Sequence, residues 1–401
     1  MDRLVNTVRP YSWGSVTAIP ELLGQAPTGE PQAEMWMGAH PGAPSRIDRG
    51  QGPTPLNEVI AADPEGELGA ECVAAFGREL PFLFKVLAAG TPLSLQVHPD
   101  LRQAREGYAD EERRGIPRNA PDRNYKDDNH KPELICALGP FEGLCGFRPA
   151  DESAELIAAL DVDELKPYAD LLHAHPEDAA LREMLTAVLG ADRAELADGL
   201  ARAVAAAERL GAGDGPHAAT YAACAAAAHH FPGDPGFLAA LLLNHVRLNP
   251  GEAMYLGAGV PHAYLSGLGV ELMATSDNVL RCGFTPKHVD VPELLRVVRF
   301  EPGDPAVLRP EPDEPDVEEV YSTPVSEFRL SRYALAPGST PARPSGGRPQ
   351  ILLCTAGSLL LSESRGGGEL TLERGQSVYL NASDQVEISG EGTVFRATVS
   401  L

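Results

Sequence analysis

Hydrophobic and polar positions alternate in short stretches through the first third of the chain. In Leu93-Ser94-Leu95-Gln96-Val97-His98, side chains two apart share a face. Leu93, Leu95 and Val97 therefore form an apolar side while Ser94, Gln96 and His98 project together on the other. Either that polar face is wet or it lines a site. The apolar run over residues 80–87, set among Gly and Pro turn signals, gives residues 1–148 the texture of β structure.

The pattern changes at Pro149. Runs such as "DRAELADGLARAVAAAERL" and "HAATYAACAAAAHHF" place Ala and Leu at spacings of three and four, which predicts a helical insertion over 149–234. Short strands return over 235–300 and complete the first β domain. The remainder, 301–401, opens with the acidic, Pro-rich connector "EPGDPAVLRPEPDEPDVEEV" and continues as closely spaced strands and glycine turns, as in a small jelly-roll. The expected architecture is mainly β: a sandwich interrupted by an α-helical domain and followed by a second sandwich.

Composition narrows the range of partners. A formal net charge of −24 over 401 residues opposes binding to nucleic acid or to an anionic membrane surface. An anionic ligand would need a local cluster of Lys and Arg to overcome that field. Neither a signal peptide nor an apolar run of about eighteen residues is visible, so a cytoplasmic protein is expected; the expected state is a monomer. Six cysteines without a C-x-x-C pair read as reduced, buried thiols with no catalytic part.

Two further segments repeat the placement of polar groups two apart. "NYKDDNHKPELICAL" sets Lys131 and Glu133 on one face of a strand whose start tolerates Pro132, with His130 on the opposite face. "GVPHAYLSGLGVELMATSDNVLRCGFTPK" sets His262 beside Tyr264, is expected to turn at Ser266-Gly267-Leu268-Gly269, and returns with Glu271. Were these strands neighbours, two imidazoles, one carboxylate and one amide oxygen would converge as a divalent metal site. His40, His173, His175, His217, His245 and His288 are read as structural histidines, and His229 and His230 as helix surface.

The segments "NYKDDNHKPEL" and "PHAYLSGLGVELMATSDNVLRCGFTPK", with "YSWGS", "AEMWMGAHPGAPS" and "LPFLFKVLAAGTPLSLQVHPD", resemble type I phosphomannose isomerases. The resemblance implies cupin-like jelly-roll sandwiches with a helical domain, and one Zn2+ per chain held by Gln96, His98, Glu133 and His262. It implies Arg281 as the catalytic arginine. Further pocket positions fall on Trp13, Glu34, Lys85, Ser94, Lys131, Tyr264, Glu271 and Asp277. Cys282 stands where the family usually has Ala. The implied reaction interconverts mannose 6-phosphate and fructose 6-phosphate through an enediol, with the cation stabilising negative charge as a Lewis acid. Arg281, always protonated, suits phosphate or an oxyanion, with Lys85 a second phosphate candidate and Ser94 expected near the phosphate. The proton-transfer base stays open among Lys131, Glu271, Asp277 and a metal-bound water. Two other readings share the donor set: a cupin non-haem iron dioxygenase, and a non-catalytic sugar- and metal-binding cupin.

Overall fold

A computed structural model describes residues 1–174, 177–312, 318–364 and 367–401. His175 lies outside the described residues. The described chain is mainly sheet, with helices concentrated between Ala150 and Leu241.

One sheet of eleven strands carries the polar segments. Its spine is the strand His262–Ala274, which pairs along its first half with Phe141–Phe147 and Leu95–Val97. Along its second half it pairs with Phe82–Ala89 and Glu133–Ala137. The turn expected at Ser266-Gly267-Leu268-Gly269 is instead a bend within this one continuous strand. Gly267 takes φ +122°, and a Cβ there would lie 2.7 Å from both Phe141 Cδ2 and Pro140 O. Only a residue without a side chain lets the strand change partners at that point.

The alternation seen in the sequence separates two interiors. Phe84, Val86, Leu134, Cys136, Val270 and Leu272 point outward and share a core with Tyr321, Leu353 and Phe395 of the second sheet and with Phe328 just before one of its strands. Leu87, Ala89, Ile135, Ala137, Phe141 and Tyr264 point inward. Leu95 and Val97 do not face either of these interiors. They join Leu280 and Cys282 in a core with the helices, among them Leu156, Phe237 and Leu241. The apolar side of the opening motif is thus what seats the helical region behind the strand.

The second sheet, of eight strands, is built on the long strands Gln350–Glu363 and Val386–Thr398. The N-terminal strand Asp2–Arg3 pairs with Ser377–Leu380 at its edge, a pairing across the length of the chain that no local pattern announces. The β texture assigned to residues 1–148 also leaves out helices. Leu56–Ala62, Pro64–Leu68, Ala70–Phe76 and Leu101–Arg113 all fall within it. The last begins at Asp100, whose carboxylate caps Gln103 N while the Gln103 side chain caps Asp100 N. That capping box starts the helix just past His98, which follows the strand Leu95–Val97. No helix among the described residues is long and apolar enough to cross a membrane.

Candidate active site and metal centre

Strand register assembles the site. Gln96 lies directly across from His262 on one side and Arg281 on the other, so three side chains from three strands stand in one row on one face. A second row runs Trp36, Lys85, Glu271 across the neighbouring strands. Glu133 enters from the strand beside Glu271, opposite Met273. The polar face of the opening motif therefore looks into a cavity of about 620 Å³. Trp13, Glu34, Lys85, Ser94, Gln96, Lys131, Glu133, Tyr264, Glu271 and Arg281 line it.

Beside it His98, Glu133 and His262 are buried, and the atoms they could offer a metal lie within 4.8 Å of one another. His98 Nε2 is 3.4 Å from Glu133 Oε1, His262 Nε2 is 3.4 Å from Glu133 Oε2, and Gln96 Nε2 is 3.4 Å from His262 Nε2. His98 Nε2 and Glu133 Oε2 are fully buried without a hydrogen bond. Buried polar atoms left unsatisfied are costly, so this spacing calls for a shared partner. A tetrahedral ion with bonds of about 2.0–2.1 Å holds its donors roughly 3.3–3.4 Å apart, which is the spacing found here. An amide's oxygen and nitrogen are interchangeable by rotation, so Gln96 can offer Oε1 at the same place.

Both imidazoles could serve as metal ligands. His98 Nδ1 donates to Asn278 O at 2.8 Å and His262 Nδ1 to Val260 O at 2.9 Å, which leaves both Nε2 atoms unprotonated toward the centre. Burial pushes the His98 pKa down to about 4, so the ring is neutral near pH 7. Burial alone would raise Glu133, but Lys131, His98 and His262 outweigh it and hold the carboxyl well below its ordinary value. Lys131 Nζ contributes by standing 3.1 Å from Glu133 Oε1.

The surrounding charges divide into answered and unanswered ones. Lys85 is buried with Nζ 2.9 Å from Glu271 Oε2 and 3.5 Å from Glu34 Oε1, and Glu34 also accepts from Trp36 Nε1 at 2.7 Å. Its charge is already matched by two carboxylates. Burial raises the Glu271 pKa despite the opposing effect of Lys85. Tyr264, buried beside Glu271, has a hydroxyl left without a well-formed hydrogen bond. Arg281 has no acceptor among the described residues, and burial lowers its pKa. Lys287, on the same wall, is likewise lowered by burial and then by Arg281 and Lys126.

Not every expected residue arrives at the cavity. Asp277 is absent from its wall: the carboxylate is 54 % exposed and sits 3.5 Å from His40 Nε2. His130, expected on the opposite face, bonds Glu327 Oε1 at 2.6 Å. His230, expected only as helix surface, is exposed but stands at the cavity mouth with Phe231. Tyr11 and Lys287 also line the wall without having been picked out from the sequence. "TPK" ends the second quoted segment, six residues after Arg281, and a cation at that distance was the available signal for Lys287.

Comparison with known proteins follows the same lines. Residues 1–150 match the model of the phosphomannose isomerase type I catalytic domain. The mannose-6-phosphate isomerase of Escherichia coli (strain K12) is 39% identical over 400 residues, 99% of each chain. The chain belongs to the type I phosphomannose isomerases. The human mannose-6-phosphate isomerase is 32% identical over 95% of this chain and 93% of its own. Among solved structures, a zinc-bound mannose 6-phosphate isomerase superposes with TM-score 0.89 at 38% identity, covering 100% of this chain and 99% of the other. A variant phosphomannose isomerase from Salmonella typhimurium gives 0.90 at 37% identity, with full coverage of both chains. As a phosphomannose isomerase the chain is an enzyme, and neither the dioxygenase nor the binding-protein reading is favoured by these relatives.

Proposed function

We propose that this phosphomannose isomerase interconverts mannose 6-phosphate and fructose 6-phosphate at a single Zn2+ held by Gln96, His98, Glu133 and His262. The observation that carries the reading is the donor cluster, where the Glu133 oxygens of the cavity wall stand 3.4 Å from the buried Nε2 atoms of His98 and His262, while Arg281 and Lys287 of the same cavity have no carboxylate partner among the described residues. When bound, the zinc supplies Lewis acidity for the charge that develops on the sugar's O1/O2 side.

The chain's own groups do the rest. Arg281 and Lys287, without carboxylate partners among the described residues, hold the phosphate dianion, with Ser94 on the same wall. Trp13 and Tyr11, stacked at 5.8 Å, close one side of the cavity against the sugar. Glu271 removes the proton from the carbon next to the carbonyl and returns it one carbon away, while the proton of the neighbouring hydroxyl passes to the former carbonyl oxygen. A buried carboxylate with a raised pKa binds a proton better than an exposed one does, which suits this shuttle. Lys85 and Glu34 keep Glu271 in place, and Lys131 orients Glu133. The six free, buried thiols suit a reducing cytoplasm.

A coupled assay with mannose 6-phosphate supplied and fructose 6-phosphate read out, run before and after chelator treatment, tests the whole reading. Turnover that stops on zinc removal and returns on zinc addition supports it; full activity in the metal-stripped protein refutes it.

A further inference from the structure

Asn278 is not among the residues that line the cavity, yet it bonds both to His98 and to the loop that leads into Glu133. It is completely buried in the loop between His262–Ala274 and Leu280–Gly283, three residues before Arg281. Its backbone oxygen accepts the Nδ1 proton of His98 at 2.8 Å. Its side-chain oxygen accepts from Lys126 N at 2.7 Å and Asp127 N at 3.2 Å. Its Nδ2 donates to Asp127 O and Asn129 O, both at 2.8 Å. Those acceptors belong to the loop that leads directly into Lys131 and Glu133.

The clasp is reciprocal. The Asp127 carboxylate accepts from Ser276 Oγ and Asp277 N, both at 2.7 Å, and from Asn129 N at 3.1 Å. A carboxamide saturated on both ends leaves the two loops a single relative position. Alanine offers none of these four bonds. Aspartate keeps only the acceptor and sets a second carboxylate against Asp127.

Resting on the zinc site proposed above, we infer that Asn278 is a positioning residue for that site. Its carboxamide fixes the 126–129 loop, and with it Glu133, in register with the backbone carbonyl that orients His98. Zinc affinity then depends on a side chain that contacts neither zinc nor sugar, in the manner of partners lying behind the ligands of other metal sites.

The test uses full-length Asn278→Ala and Asn278→Asp, with zinc dissociation constants measured by competition with a chromogenic chelator. Melting temperatures are taken with and without zinc. Zinc binding roughly 10- to 100-fold weaker in both variants is expected, with a smaller zinc-induced rise in Tm. A merely structural role would instead lower Tm equally in both forms and leave zinc affinity untouched. Should Asn278→Ala fail to fold, Asn278→Asp gives the same reading, because it keeps the acceptor for Lys126 N and Asp127 N while losing the donor bonds to Asp127 and Asn129. Wild-type zinc affinity in either folded variant overturns the inference. His98→Ala separates the layers: if it too binds zinc normally, the metal-site reading itself falls; if it loses zinc while the Asn278 variants keep it, only the positioning role falls.

Discussion

At the scale of single residues, the site is governed by which charges already have partners. Lys85 is the more conspicuous cation in the sequence, but two buried carboxylates answer it, whereas Arg281 and Lys287 have none among the described residues. Lys287→Ala should therefore raise KM for mannose 6-phosphate roughly tenfold or more with kcat little changed, the loss of one charge-assisted contact. Arg281→Ala should cost orders of magnitude in kcat/KM while zinc content by metal analysis stays at one per chain. Glu271→Gln tests the proton shuttle directly: kcat is expected to fall about 10²- to 10⁴-fold with zinc still bound. A kcat within threefold of wild type would remove Glu271 from the mechanism. These residues were legible to different degrees. Gln96, His98, Glu133 and His262 carry alternation and family motifs, while Lys287 lies past a Pro in a loop where no periodicity marks a face.

At the scale of elements, one bent strand does what the sequence suggested two would do. The Ser-Gly-Leu-Gly stretch reads as a turn because such residues usually make one. Here pairing with three different strands keeps it extended, and only the glycine φ gives the local clue. His262 and Glu271 thus reach one cavity from two halves of one strand. Gly267→Ala should destabilise the protein by about 1–3 kcal/mol, since L side chains avoid that φ and the new methyl would press on Phe141 and Pro140. Urea unfolding measures it, and an unchanged midpoint would mean that the bend is not held at Gly267. The helices have a comparable role: by burying Leu95, Val97, Leu280 and Cys282 they set the back of the strands whose front carries Gln96 and Arg281.

At the scale of the whole molecule, the second sheet packs behind the first and carries its own buried ion pair. Arg396, almost fully buried, donates to Gln350 Oε1 at 2.6 Å and Glu318 Oε1 at 2.9 Å. Burial alone would raise Glu318, but Arg396 and the Ser331 hydroxyl outweigh it and hold the carboxyl below its ordinary value. A carboxyl whose folded pKa is depressed binds fewer protons in the native state than in the unfolded one. Its stabilisation is present above the unfolded value of about 4.3 and is lost as pH falls through the lower folded value. Denaturation midpoints should therefore drop below pH about 4.3, and Glu318→Gln should flatten that part of the curve. An identical acid limb in the variant would mean that the pair does not contribute.

Local chemistry alone determined a good deal here: strand alternation along the ligand segments, helix texture after Pro149, and the donor types suited to zinc. Those depend only on neighbours in sequence, where the periods of strand and helix act. What the chain could not announce were relations set by pairing between distant segments. The Asp2–Arg3 strand on the far sheet, the row that puts Gln96 between His262 and Arg281, the neutralisation of Lys85 and the exclusion of Asp277 all follow from register and burial. Register across a sheet is decided by which faces can be buried together, and that is a property of the assembled core.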